Sequence, residues 1–165
     1  AITDIFDIHK IELVVDVRAY PQSRRHPHFN RQSLTTHLAL AGIDYSWQGK
    51  AFGGYRKPIS NSPNSALIDA DFRGFADHML TKYFSQSVDL LCKLAARKRV
   101  VIMCSEANYQ HCHRQFIADF MTLAHFQVCH IKTTGEQVNH QFHSCLDTTT
   151  NPPRYSRMLQ GNLFN

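Results

Sequence analysis

The sequence predicts an α/β fold, a mostly parallel sheet with helices on both faces. Residues 13–17, Leu-Val-Val-Asp-Val, form a β-branched run with a single polar position. That is too apolar for a strand with one wet face, and it suits a parallel strand covered on both sides. Comparable strand signals recur at residues 43–47, 100–103 and 127–131, with helix-period segments between them. Strands alternating with helices make a layered sheet with right-handed crossovers.

Taken in order, Ile2, Ile5 and Phe6 have helical spacing and lead into the first strand, whose polar end is Asp16 and Arg18. Residues 20–31 hold Pro21, Pro27, Arg24, Arg25, His26 and His28, a basic loop in which the prolines oppose strand packing. Asn30 is placed to cap a helix through Leu34, Leu38 and Ala41, with Gly42 as its stop. Residues 48–66 carry Gly53, Gly54, Pro58 and Pro63 and read as a long surface loop that covers a site. Asp71 is expected to cap a helix presenting Phe72, Phe75 and Met79, and Val88, Leu91, Leu94 and Ala95 mark the next one. After strand 100–103, a helix opens at Cys112 and runs to about Ala124, with Phe116, Ile117, Phe120 and Met121 inward. Beyond Lys132 the periodicity fades. The expected division is an α/β domain at residues 1–134 and a C-terminal extension and tail at 135–165.

At 165 residues the chain can bury a core without staples. Its net charge of +5 and eleven histidines favour anionic partners. Five irregularly spaced cysteines fit a reducing cytoplasm better than a secreted disulfide framework. No apolar run reaches the roughly 20 residues that span a bilayer, so no membrane partner is expected. The chain opens on Ala1 directly into apolar spacing, which suggests a trimmed beginning.

In an open α/β sheet ligands gather outside the carboxyl ends of the strands. Two such ends carry polar groups here, Asp16 with Arg18, and Cys104 with Glu106. The helix expected at Cys112 would add unpaired N–H groups, so a phosphate or carboxylate would sit there with Arg114, Arg18 or Arg24 as donors. In the competing reading Arg18 and Arg114 simply pair with Asp16 and Glu106. Cys112, beside His113 and Arg114, and Cys104 are the candidate nucleophiles, with Glu106 and His113 as acid–base groups. No metal site or cofactor is assigned. The spacing of Cys104, His111, Cys112 and His113 matches no zinc ribbon or finger, and adjacent Cys and His side chains at a helix start are expected to point apart. A disulfide between Cys104 and Cys112 is disfavoured by compartment. Arg24 and Arg25 with Tyr20, His28 and Phe29 would also suit a polyanion such as nucleic acid.

Several motifs occur together in a fixed order: Val15-Asp16-Val17-Arg18 with Pro21, Ser23-Arg24 and Phe29-Asn30; Gly53-Gly54 and Arg56; Phe72-Arg73-Gly74-Phe75-Ala76; Met103-Cys104-Ser105-Glu106; and Cys112-His113-Arg114. This set resembles the bacterial domain-of-unknown-function family 488 (DUF488) over about residues 2–131. The resemblance implies a Rossmann-like, three-layer α/β domain of cytoplasmic bacterial proteins, with no established activity. It points to Asp16, Arg18, Ser23, Arg24, Cys104, Glu106, Cys112, His113 and Arg114. Members usually begin with a strand ending in Gly-His-Ser, which this sequence does not show, so a first strand is expected to be missing. Gln160, Leu163 and Phe164 are similar to the short peptide by which bacterial replication and repair proteins dock on the sliding clamp. The first functional expectation is therefore an enzyme whose crevice binds a phosphate-containing nucleotide or nucleic-acid substrate. The alternative is a non-catalytic DNA-maintenance accessory recruited by its tail.

Overall fold

The computed structural model of the chain describes residues 2–156. Gln160, Leu163 and Phe164 lie outside that range. The elements follow as α1 (Ile2–Ile8), β1 (Leu13–Asp16), a 3-10 turn (Pro27–Phe29), α2 (Arg31–Leu40), β2 (Asp44–Trp47), α3 (Gly49–Phe52), α4 (Ala70–Met79), α5 (Lys82–Ala95), β3 (Val100–Met103), a second 3-10 turn (Tyr109–His111), α6 (Arg114–Leu123), β4 (Cys129–Ile131) and β5 (Gln137–Asn139). No helix among the described residues is long and apolar enough to cross a membrane.

β1 is the middle strand of a parallel three-stranded sheet in the order β2-β1-β3. Its four residues are all buried, which is why the sequence spends apolar residues on both of its faces. Alternation sorts them: Leu13 and Val15, with Val17 beyond the strand, pack with Phe52, Phe75, Phe84 and Phe116 from α3 to α6. Val14 packs the other way, with Phe6 of α1 and Leu34 and Leu38 of α2.

Three expectations need correction. The strand at 127–131 does not extend the parallel sheet: β4 pairs antiparallel with β5 in a separate two-stranded sheet. The turn at Lys132–Glu136 folds the chain back on itself, with Gly135 at φ 86, a conformation that favours glycine. The helix predicted from Cys112 starts instead at Arg114. Cys112 is extended, at φ −137 and ψ 145, and its N–H already donates to Tyr109 O at 3.1 Å. Asp69 rather than Asp71 caps α4, its Oδ1 accepting from Phe72 N at 2.9 Å. Asn30 does hold the N-cap position of α2, but its side chain accepts from Ser23 N at 2.6 Å and so ties down the basic loop.

The loop at residues 48–66 is anchored, not loose. Asp77 of α4, only 5% exposed, accepts from Ile59 N, Ser62 Oγ and Asn64 Nδ2 at 2.9, 2.6 and 2.8 Å. Asn64 Oδ1 in turn accepts from Tyr155 N at 2.9 Å. Tyr155 and Leu146, from the stretch where periodicity fades, are core residues packed in the same cluster as Phe116.

Candidate active site at the ends of β1 and β3

The strand order β2-β1-β3 places the point where the connections diverge beside β1, and the carboxyl ends of the strands there are where such sheets bind ligands. Its β1 rim is a closed polar network. Asp16 is fully buried and accepts from Arg18 Nε at 2.9 Å, Arg18 Nη2 at 2.6 Å, Arg18 N at 3.1 Å and Tyr45 Oη at 2.6 Å. Residues two apart on an extended chain share a face, so the pairing is local. Burial and the bond to Asp16 both raise the Tyr45 hydroxyl pKa, so it stays a proton donor. Burial is the largest influence and disfavours the Arg18 charge, but the hydrogen bond and charge of Asp16, with Tyr45, together outweigh it and the guanidinium pKa rises. The Arg18 fork is thus engaged with Asp16, as in the structural pairing reading, and its carbonyl accepts from Trp47 Nε1 at 2.9 Å.

The β3 rim brings the other residues together. The ligand-type atoms of Cys104, Cys112 and His113 all lie within 4.8 Å of one another. Cys112 Sγ stands 3.8 Å from His113 Nδ1, so these neighbours converge instead of pointing apart. They converge because Cys112 is extended while His113 begins the helical turn, at φ −60. Arg114 Nε donates to Cys112 Sγ at 3.4 Å, and its Nη2 donates to the backbone carbonyl of Glu106, not to the carboxylate. Glu106 itself is exposed.

The two thiols differ. Cys104 is partly exposed and its pKa is held down at about 5, because Cys112 donates a hydrogen bond to it, with burial opposing and His113 assisting. Cys112 is 2% exposed and is pushed the other way, by that same bond and by burial. The pair is thus polarised, Cys104 toward thiolate and Cys112 toward thiol. Burial lowers the His113 pKa, so the ring is neutral near pH 7. His113 Nε2 is buried without a hydrogen bond.

Gly54 closes over this group. A Cβ there would sit 3.2 Å from His113 Nδ1, so the loop at 48–66 passes beside the His113 ring with a residue that has no side chain. The basic loop stands further out: Ser23 Oγ accepts from His26 N at 3.0 Å, and Arg24 and Arg25 are exposed. Ser23 serves the loop's own shape.

A family model described as "Domain of unknown function DUF488" matches residues 1–121. The chain belongs to the DUF488 family. No curated protein and no solved structure matches it. The DUF488 match takes in every candidate residue from Asp16 to Arg114 and stops just after Asp119.

One network on this DUF488 chain crosses that limit and was not visible in the sequence. Buried Asp119 of α6 accepts from Tyr155 Oη at 2.8 Å, from His143 N at 3.1 Å and from His140 Nε2 at 2.8 Å. His140 Nδ1 then meets His130 Nε2 at 2.8 Å, and His130 stacks under Tyr109 of the site loop at 3.4 Å. In the tautomer in which His140 Nε2 donates to Asp119, His140 Nδ1 accepts from His130 Nε2. Only the β4–β5 pairing could have revealed it, since the residues are spread from Asp119 to Tyr155.

Burial, then the neighbouring His140 and Arg114, push the His130 pKa down to about 4 from 6.5. The folded state therefore takes up this proton later than the unfolded chain. The stability that follows is fully present above about pH 6.5 and is lost as pH falls toward 4. The urea midpoint is expected to drop across that window, and to drop less in His130→Phe, which keeps a ring under Tyr109. Equal slopes in the two proteins would show that His130 does not carry the effect.

Proposed function

We propose that this DUF488 chain is an enzyme acting on a phosphate-containing substrate, a nucleotide or nucleic acid, in the crevice between the ends of β1 and β3. One observation carries the reading: two thiols, an imidazole and a guanidinium, from two segments eight residues apart, meet at the strand-order switch of a parallel sheet. Groups of nucleophile and base type cluster where α/β sheets bind ligands. A purely structural core would fill that position with apolar residues, as β1 does one turn below. The exposed Arg24 and Arg25 of the loop after β1 and the net charge of +5 favour anions. The wider arrangement is read as Rossmann-like, in a protein of the reducing cytoplasm, where all five cysteines stay free.

Roles follow from position. The Asp16–Arg18–Tyr45 network holds the β1 rim rigid, Arg114 braces the loop between Cys104 and Cys112, and Arg24 contacts the substrate phosphate. Cys104, on the open side, is the group that meets the substrate. The lone Trp47 sits at the β1 rim and reports on it. Its fluorescence is expected to change as a nucleoside monophosphate or a short single-stranded oligonucleotide is added. Arg24→Ala is expected to weaken that binding about tenfold, the worth of a charge-assisted hydrogen bond. Affinity should also fall as salt rises. A signal that no phosphate compound moves, or that Arg24→Ala leaves unchanged, would remove this reading.

A further inference from the structure

We propose that Cys104, Cys112 and His113 form a binding site for a soft divalent cation, zinc in particular, whose fourth position takes an oxygen of the phosphate-bearing substrate. The proposal rests on the reading of this crevice as the chemical centre. It names what the three side chains would hold there.

The donor set is right for such an ion. Two sulfurs and one imidazole nitrogen are the ligands zinc prefers, and two thiolates with a neutral ring balance a double positive charge. The geometry is close as well. In a tetrahedral zinc site, bonds of about 2.3 Å to sulfur and 2.0–2.1 Å to nitrogen put sulfur and nitrogen about 3.6 Å apart, and two sulfurs about 3.8 Å apart. Cys112 Sγ and His113 Nδ1 are 3.8 Å apart, and no pair in the trio exceeds 4.8 Å. Drawing the set onto an ion needs movements of about 1 Å or less. Cys104 follows a strand end and is only partly buried, so it is the ligand that can make them.

The surroundings support the same assignment. Nδ1 is the His113 nitrogen turned toward the thiols, and a neutral ring that coordinates through Nδ1 keeps its proton on Nε2. Nε2 is the buried nitrogen that has no hydrogen bond. Arg114 donates to Cys112 Sγ, the kind of outer contact that orients a ligating sulfur. At Gly54 a side chain would begin 3.2 Å from Nδ1 and crowd the ligating nitrogen, and glycine avoids this. Three protein ligands leave a tetrahedral ion one open position, the arrangement of catalytic rather than structural zinc. Such an ion would polarise a phosphoryl oxygen placed there.

The test uses the whole chain, reduced, stripped by a chelator and titrated with Co2+ alone. Binding of one ion per chain is expected, with sulfur-to-cobalt charge-transfer absorption and visible bands of tetrahedral strength, both removed by added zinc. Cys104→Ser and His113→Ala are expected to lose about tenfold or more in Co2+ affinity, whereas Cys129→Ser and Cys145→Ser keep it. Cys112→Ser risks the fold, so the partly exposed Cys104 carries the decision, with the urea midpoint confirming that each variant is folded. Absent charge-transfer absorption in folded protein, or binding that Cys104→Ser leaves intact, overturns the proposal. If the stripped chain still binds a nucleoside monophosphate by Trp47 fluorescence but takes up no Co2+, the metal site fails and the substrate reading stands. If Co2+ binds through sulfur but no phosphate compound alters its spectrum or Trp47, the fourth-position assignment and the substrate reading fail, while the three-ligand site stands.

Discussion

Asp16→Ala is expected to cost about 3–5 kcal/mol of folding stability, the scale of breaking a buried ion pair by removing one partner. Asp16 is fully buried and collects four hydrogen bonds from Arg18 and Tyr45. Without it the Arg18 charge, 7% exposed, has no counter-ion, and Tyr45 Oη loses its acceptor. Against a total stability of about 5–15 kcal/mol, that loss is a third or more for most of the range. With a urea slope of about 2 kcal/mol/M, the midpoint should fall by about 1.5 M or more. Tyr45→Phe removes one hydrogen bond and should cost only about 1 kcal/mol. The double change Asp16→Leu with Arg18→Met should recover much of the loss, since it removes both charges. A midpoint for Asp16→Ala within about 0.5 M of the parent would mean that the pair is not buried in solution.

Cys104 of the metal-free chain is expected to react with iodoacetamide at about pH 6 roughly tenfold faster than an ordinary thiol. With its pKa near 5, Cys104 is mostly thiolate at that pH. A free thiol with a pKa of about 8.5 is only about 0.3 per cent ionised there, which is a gain of roughly 300-fold in reactive form. A less basic thiolate is a weaker nucleophile, and a Brønsted coefficient of about 0.4–0.5 takes back roughly 30-fold. The rate should therefore be almost flat between about pH 6 and pH 8, where an ordinary thiol climbs steeply. Peptide mapping of a time course separates the sites: Cys112 and Cys92, both with raised pKa values, should lag. A Cys104 rate that climbs with pH in parallel with a model thiol would show that no thiolate is held there.

The three strands of the parallel sheet, and the polar residues at the ends of β1 and β3, were legible from local pattern. β1 is recognisable because a buried central strand must be apolar on both faces. The pairing of Asp16 with Arg18 needs only their separation by two. Other features depend on geometry that no local pattern carries. Tyr45 reaches Asp16 because β1 and β2 run parallel with Val14 opposite Tyr45. Cys112 and His113 converge because the backbone changes conformation between them, from extended to helical, whereas a helix starting at Cys112 would have splayed them. The Asp119–His140–His130 chain exists because Gly135 turns β5 back onto β4, in a stretch too polar and too short to announce a strand.

The register of the central strand also governs when the protein can assemble. Leu13 pairs with Asp44 on one side but with Val100 on the other, a separation of 31 residues (44 − 13) against 87 (100 − 13). During synthesis the β1–β2 half of the sheet can pair early. The second edge of β1 must wait until more than half of the chain has emerged, with its backbone groups unpaired in the meantime. Because the Asp16 rim and the Cys104 rim are carried by those two late-meeting strands, no shorter nascent chain contains the crevice. The side chains of the two rims come together only when the last of the three parallel strands docks.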